Sequence, residues 1–222
     1  LYGYEFENLY EKLEKDNDIK LKKVLSAKEL FKSIMKTQLE TGMPYIFFKD
    51  RANEVNHNSH MGMIGNGNLC MESFSNFKPT INFVEEEDGN TSIRRSEMGE
   101  IHTCNLISLN LAELTSDELE KHVALAVRAL DNTIDLTVTP LKESNKHNLM
   151  YRTVGVGAMG LADYLAREYM IYEESINEIN ELFERIALYS VKASALLAKD
   201  RGAYKAFKGS KWDQAIFFGK KR

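Results

Sequence analysis

Helix-forming segments alternate with short extended segments along this chain, and this alternation limits the folds that it can adopt. Three predicted helix starts carry a Ser or Thr followed three residues later by Glu, a pair that can cap the exposed backbone amides of a first helical turn. These pairs are Ser26 with Glu29, Thr115 with Glu118, and Ser175 with Glu178. Apolar periodicity predicts two further helices over residues 5–16 and 161–168.

The segments between these helices are predicted to be extended. They lie at residues 45–49, 68–73, 100–109 and 151–156. Strands separated by helices favour an α/β sheet or barrel over a helix bundle. The acidic run at 85–90 is predicted to be a solvated turn between strands. We therefore expect an α/β fold.

Composition excludes several classes of protein. No apolar run approaches the roughly 20 residues needed to cross a bilayer, so no membrane partner is predicted. The net charge of −4 offers no basic face for duplex nucleic acid, and no nucleic-acid partner is predicted either. Two cysteines among 222 residues cannot build a disulfide framework, which favours a reducing, cytoplasmic location.

A glycine pattern at 155–160 matches the G-x-G-x-x-G fingerprint of dinucleotide-binding loops. Such loops need an acidic residue about 20 residues later, at the end of the next strand, to hold the ribose. The nearest acids are Glu173 and Glu174, which lie at the start of the Ser175 helix. The glycines therefore favour close packing between a strand and a helix. A nicotinamide-binding oxidoreductase that uses Gly155 to Gly160 remains an alternative function.

Several residues are of the types that bind metals. They are His57, His60, His102, Cys70 and Cys104. A zinc site normally shows paired short spacings such as C-x-x-C or H-E-x-x-H, and neither occurs here. Exposed loop histidines and buried thiols account for the same residues, so no metal site is predicted.

The segment at 68–72 places an amide, a thiol and a carboxylate at alternating positions. In a strand, Asn68, Cys70 and Glu72 would share one face, with neighbours about 7 Å apart, while Leu69 and Met71 would point into the core. The amide could orient a small polyhydroxylated substrate, the sulfur could react, and the carboxylate could act as a base. The alternative is a half-buried strand in which cysteine is only a small apolar residue.

The second thiol, Cys104, has a similar setting in the extended run that continues to Leu109. If both predicted strands belonged to one sheet or barrel, the two thiols could face one cavity. From the residues alone, this pair could be a disulfide, two unrelated core residues, or two parts of a thiol mechanism.

At these residues the sequence resembles the large, catalytic subunit of ribonucleotide reductase of the aerobic, class I type. Four segments carry the resemblance in the family's order and spacing: Asn-Leu-Cys-Met-Glu at 68–72, Cys-Asn-Leu with Ser-Leu-Asn at 104–110, Ala-Val-Arg-Ala-Leu-Asp at 126–131, and 151–163. The resemblance covers essentially the whole chain. It implies that residues 1–222 are the central part of a ten-stranded α/β barrel, with a central finger loop carrying the reactive cysteine and without the N-terminal effector-binding and C-terminal parts.

The resemblance also implies a role for each site residue. Cys70 becomes a transient thiyl radical that abstracts the 3′-hydrogen of a ribonucleotide. Glu72 takes the proton of the 3′-hydroxyl, and Asn68 hydrogen-bonds the ribose hydroxyls. Cys104 is one of two thiols that reduce the 2′ position and end as a disulfide, and the backbone near Leu106 approaches the substrate. The implied reaction converts ribonucleoside diphosphates to deoxyribonucleotides.

Partners follow from the same resemblance. It implies a homodimer of large subunits, a metal-containing small subunit that supplies the radical, and thioredoxin or glutaredoxin as reductant. Cobalamin-dependent relatives share the Asn-Leu-Cys-x-Glu strand, so the radical source stays open. No cofactor is expected on this chain, and the effectors, ATP and deoxynucleoside triphosphates, are expected to bind elsewhere.

The sequence departs from the family in what it lacks. The family uses a third active-site cysteine, and only Cys70 and Cys104 are present. The phosphate-binding segment, the radical-relay tyrosines and the C-terminal shuttle cysteines are also missing. The chain alone is therefore not expected to turn over, and a catalytically incomplete fragment that acts only by complementing another chain is the alternative.

Overall fold

The structure, a computed structural model, describes residues 1–87, 91–217 and 220–221. The helices are α1 (Gly3–Glu14), α2 (Ala27–Thr41), α3 (Lys49–Glu54), α4 (Leu119–Leu136), α5 (Lys142–Tyr151), α6 (Leu161–Arg167) and α7 (Ile176–Arg201). The strands are β1 (Ile81–Glu87), β2 (Thr91–Glu97), β3 (Leu106–Asn110), β4 (Gly155–Met159), β5 (Ile216–Phe217) and β6 (Lys220–Lys221). The chain forms two compact units, Leu1–Phe77 with Gly209–Arg222, and Lys78–Lys208.

The first unit contains α1 to α3 and the short antiparallel pair of β5 and β6. The helices predicted at 5–16 and after Ser26 are confirmed. The Ser26 hydroxyl accepts the N–H of Glu29 at 3.4 Å, and Gly42 ends α2 in the left-handed conformation that favours glycine. The strand predicted at 45–49 is wrong, because 45–48 are irregular and α3 begins at Lys49.

The second unit opens with an antiparallel hairpin of β1 and β2, in which Glu87 pairs with Thr91. Residues 85–87 of the acidic run belong to β1, so the turn predicted at 85–90 begins too early. Residues 88–90 of that prediction lie outside the described residues.

The centre of this unit is a parallel pair of strands, with Leu106 of β3 opposite Gly155 of β4. Parallel strands need a long crossover, and α4 and α5 supply it. One side of the pair packs on α4 and α7, where apolar burial at about 25 cal/mol per Å² drives the association. The buried residues of this core are Leu109, Leu111, Leu119, Val123, Ala126, Val127, Leu182, Ile186, Ala193 and Leu197.

The helices predicted at 161–168 and after Ser175 are confirmed with the predicted starts, as α6 and α7, and only the helix predicted after Thr115 starts later than expected. The helix expected after Thr115 begins at Leu119, and the Thr115 hydroxyl donates to the Glu118 carboxylate at 2.8 Å instead of capping a backbone amide. The helix after Ser175 begins at Ile176, although the Ser175 hydroxyl donates to the carbonyl of Ile171.

The strand predicted at 151–156 is largely wrong. Tyr151 ends α5, and β4 starts only at Gly155. Apolar periodicity could not reveal α5, because its buried side chains are mostly polar: Ser144, His147, Asn148 and Tyr151.

An ion-pair cluster joins the end of α5 to α4. Arg152 has a left-handed backbone (φ 47°) and donates from Nε to the Asp131 carboxylate at 2.8 Å. Its two terminal nitrogens donate to both oxygens of the Asp135 carboxylate at 2.7 and 2.9 Å. Arg201 of α7 also donates to Asp131. This cluster fixes the position of Arg152, which lies between the end of α5 and the start of β4.

The α/β class is confirmed. In the part of the chain that the structure describes, the strands form three two-stranded sheets, so the predicted ten-stranded barrel is not closed by this segment. Within the described ranges no helix combines the length and apolar character that a bilayer crossing requires.

Candidate functional site

Cys70 lies on a tight turn, and the strand predicted at 68–73 is wrong. The N–H of Met71 donates to the carbonyl of Asn68 at 3.1 Å, and the N–H of Asn68 donates to the carbonyl of Ser73 at 3.2 Å. Gly67 and Phe74 form an antiparallel bridge at the base of this turn.

Turn chemistry explains why the alternating pattern fails. The side-chain oxygen of Asn68 accepts the N–H groups of Glu72 and Ser73, both at 3.1 Å, and asparagine often shapes turns in this way. Met71 adopts a left-handed backbone (φ 61°), which breaks the alternation of a strand. Leu69, expected in the core, is therefore 88% exposed.

The turn nevertheless joins two of the predicted side chains. The amide nitrogen of Asn68 donates to the carboxylate of Glu72 at 2.6 Å. Cys70 lies between them along the chain, and its free thiol is exposed. An amide, a carboxylate and an accessible sulfur thus occur on one five-residue turn.

A network of buried asparagines anchors the chain before and after this turn. Asn53 of α3 exchanges two hydrogen bonds with the backbone of Ile64, at 2.8 and 2.9 Å. Asn56 donates to the side chain of Asn76 at 2.8 Å, and Asn76 donates to the carbonyl of Asn58 at 2.8 Å. Residue types alone did not identify this network. The three asparagines within residues 53–58 are the sequence signal that could have identified it.

Aromatic packing adds to this anchor. The rings of Phe47 and Phe74 stack with centroids 5.1 Å apart and an interplanar angle of 11°. Since Phe74 forms the bridge with Gly67, the stack fixes the base of the Cys70 turn.

Cys104 is free and exposed in the second unit, two residues before β3. The extended run predicted at 100–109 is confirmed only from Leu106 onward. Leu106 is 43% exposed, at the first position of β3. The exposure of both thiols contradicts the expectation of buried cysteines.

The metal-ligand types are divided between the two units. His57 stacks on Trp212 with ring centroids 4.3 Å apart. Burial is the main cause that lowers the pKa of His57, and the positive charge of Lys211 lowers it further. Burial also lowers the pKa of His102. Among the residues whose placement is described, no group of three or more His, Cys, Asp or Glu side chains is arranged to hold a metal ion.

The glycine fingerprint forms a strand instead of a phosphate-binding loop. Gly155 and Gly157 lie in β4, and a side chain at Gly155 would meet Leu106 of β3. Gly160 has φ 73° immediately before α6, close to the Asn110 side chain. Gly155 and Gly157 therefore permit close packing of β4 on the neighbouring strand β3, and only Gly160, at the start of α6, takes part in the strand-to-helix packing that the sequence favoured.

Comparison with known proteins identifies the family. The profile of the ribonucleotide reductase barrel domain matches residues 1–221. The ribonucleoside-diphosphate reductase subunit alpha of Synechocystis is 46% identical over 223 residues, covering 100% of this chain and 27% of that protein. A Helicobacter pylori subunit alpha is 35% identical (98% and 32%), and the Neurospora crassa large chain is 33% identical (97% and 22%).

The chain therefore spans less than a third of each of these relatives. The match over nearly its full length confirms the resemblance seen in the sequence: the chain belongs to the family of ribonucleotide reductase barrel domains.

Proposed function

We propose that this segment is the substrate-reducing centre of a ribonucleotide reductase large subunit, and that it converts ribonucleoside diphosphates to deoxyribonucleotides by radical chemistry. One observation carries the proposal. Asn68 and Glu72 meet at 2.6 Å on the turn that exposes the Cys70 thiol. The family membership and the names of the relatives support the substrate class.

Cys70 starts the reaction as a thiyl radical. Its sulfur takes the hydrogen atom from C3′ of the ribose, so that an S–H bond forms and a carbon radical remains. The Glu72 carboxylate accepts the proton of the 3′-hydroxyl, which assists departure of the 2′-hydroxyl as water. The Asn68 amide hydrogen-bonds the ribose hydroxyls and orients them, exchanging its bond to Glu72 for bonds to substrate.

Cys104 completes the reduction. Together with a second cysteine outside this segment it supplies two electrons and two protons, and the two sulfurs form a disulfide. Cys70 then returns its hydrogen atom to C3′ and becomes a radical again. The sum is one ribonucleotide and two thiols giving one deoxyribonucleotide, one disulfide and one water. The backbone near Leu106 contacts the substrate.

A thiyl radical must be shielded from water and stray reductants. Cys70 is exposed in this segment. The remainder of a protein as long as the relatives would therefore have to enclose the turn. We further propose that the effectors, ATP and deoxynucleoside triphosphates, bind to other parts of the large subunit.

We propose three partners for the large subunit. A metal-containing small subunit generates the radical, thioredoxin or glutaredoxin reduces the disulfide, and large subunits pair as a homodimer. The designation of the relatives as alpha subunits supports a second type of subunit.

The test is reassembly. The segment alone should not reduce a ribonucleoside diphosphate, whereas the segment joined to flanking large-subunit sequence and mixed with small subunit and thioredoxin should produce the deoxynucleotide. Activity of the isolated segment would contradict the need for enclosure. If the reassembled complex folds and binds nucleotide but is inactive, the segment contributes only structure.

A further inference from the structure

Cys104 lies on a segment, residues 100–105, that is bonded to several residues of α5. We infer that Asn148 of α5 is a positioning residue for the Cys104 thiol. The inference rests on the proposed role of Cys104 as a reductant of the substrate.

Asn148 reaches both neighbours of Cys104. The hydroxyl of Thr103 donates to the side-chain oxygen of Asn148 at 2.6 Å, and the amide nitrogen of Asn105 donates to the same oxygen at 3.3 Å. Asn148 is only 4% exposed, so its oxygen is shielded from water. One buried acceptor thus fixes the residues on either side of an exposed thiol.

The backbone after Cys104 is tied to β4. The side chain of Asn105 also donates to the carbonyl of Thr153 at 3.1 Å, and the carbonyl of Asn105 accepts the N–H of Gly155 at 2.9 Å. The chain cannot move at Asn105 without disturbing the first pair of the parallel strands.

The backbone before Cys104 is tied to α5. The N–H of Ile101 donates to the carbonyl of Glu143 at 3.2 Å. The buried carboxylate of Glu100 accepts the Tyr151 hydroxyl at 3.0 Å and lies 3.4 Å from the Lys146 ammonium. Four residues of α5, namely Glu143, Lys146, Asn148 and Tyr151, therefore hold the segment.

A thiol that must reach a 2′ carbon and then a second sulfur needs a defined position in each step. The contacts at Thr103 and Asn105 leave the Cys104 side chain outward and restrict its backbone on both sides. Because Asn148 acts through this backbone, its loss should slow chemistry without weakening nucleotide binding.

The experiment uses the complete large subunit with its small subunit and thioredoxin. Asn148→Ala removes the shared acceptor, Asn148→Asp keeps an accepting oxygen, and Thr103→Val removes one donor while keeping its shape. Asn145→Ala is the matched control, because Asn145 lies on the same helix but bonds to Thr139.

Two readouts are taken for each variant: hydrogen exchange of the amides of Ile101 and Gly155, whose N–H groups tie the segment to Glu143 and Asn105, and kcat and KM for a ribonucleoside diphosphate. Asn148→Ala and Thr103→Val should speed this exchange and lower kcat, each by about tenfold, with KM within about twofold. Asn148→Asp and Asn145→Ala should stay near wild type, and the double variant of Asn148 and Thr103 should lose little more than either single variant.

The inference would be overturned if Asn148→Ala left the hydrogen exchange unchanged, or if Asn145→Ala had an equal effect. It would also be overturned if Asn148→Ala exchanged faster but kept its kcat. Failure of the wild-type complex to reduce any ribonucleotide would instead refute the proposed function, and the exchange comparison would still decide whether Asn148 holds the segment. Because Thr103→Val removes no buried helix residue, it decides the matter if Asn148→Ala does not fold.

Discussion

Asn68 has two roles on the turn that carries Cys70. Its oxygen accepts the backbone N–H of Glu72 and Ser73, and its nitrogen donates to the carboxylate of Glu72. The first role builds the turn, and the second orients the carboxylate. In the proposed reaction the same carboxylate then accepts a proton from the substrate.

At the residue scale, Glu72→Gln tests that proton transfer. The amide keeps the shape of the carboxylate but cannot accept the proton, so kcat should fall about 10²- to 10⁴-fold while KM changes little. Steady-state kinetics of the reassembled enzyme measure both. Equal losses in kcat and nucleotide affinity would mean that Glu72 serves only the structure of the turn.

Residue types and the family resemblance predicted Asn68, Cys70 and Glu72 as site residues, and the structure joins Asn68 to Glu72 by a hydrogen bond. The predicted strand was wrong because an alternating pattern does not reveal that the side chain of Asn68 can accept hydrogen bonds from the backbone N–H groups of Glu72 and Ser73. Asn148 was missed for a different reason: it belongs to a helix with a polar buried side, which apolar periodicity cannot detect.

At the element scale, Arg152 joins the end of α5 to α4. Hydrogen bonding and charge from Arg152 lower the pKa of the Asp135 carboxyl. A carboxyl whose pKa is lowered by folding stabilises the folded state above its ordinary pKa, and this contribution disappears as the pH falls through the lowered value. The ion pair should therefore act fully at neutral pH and fade below about pH 4.

Arg152→Met should lower the free energy of unfolding at pH 7 by about 1–3 kcal/mol, and the difference from wild type should shrink on acidification below about pH 4. Urea unfolding followed by far-ultraviolet circular dichroism at several pH values measures this. Arg185→Met is the control, because Arg185 donates to Ser116 and not to a carboxylate. A difference that is independent of pH would contradict the assigned ion pair.

Gly99 gives a second prediction at the element scale. It lies between β2 and the segment of Cys104, and a β-carbon there would collide with the backbone carbonyl of Lys78. Gly99→Ala should destabilise the unit by about 2 kcal/mol or more, since backbone must move. Gly157→Ala, where a β-carbon meets only ordinary contacts, should have little effect. Equal melting temperatures for the two variants would show that the close approach at Gly99 is not required.

At the scale of the whole molecule, the segment has a folded core and apolar surface left exposed. The core lies between β3, β4, α4 and α7, whereas α1 and α2 carry no buried residue. The relatives are more than three times as long as the stretch they share with this chain. Helix and strand patterns could predict the α/β class, but closure of a barrel depends on the number, tilt and register of its strands, which such patterns do not contain.

The radical role of Cys70 is tested by comparing Cys70→Ser with Met71→Leu in the reassembled enzyme. Serine keeps the size of the side chain but its O–H bond is too strong to form the required radical, whereas Met71→Leu alters the same turn and keeps the thiol. Deoxynucleotide formation and equilibrium nucleotide binding are measured for both. Cys70→Ser is expected to bind nucleotide normally and to form no deoxynucleotide, while Met71→Leu should remain active; substantial nucleotide reduction by Cys70→Ser would show that Cys70 is not the radical site.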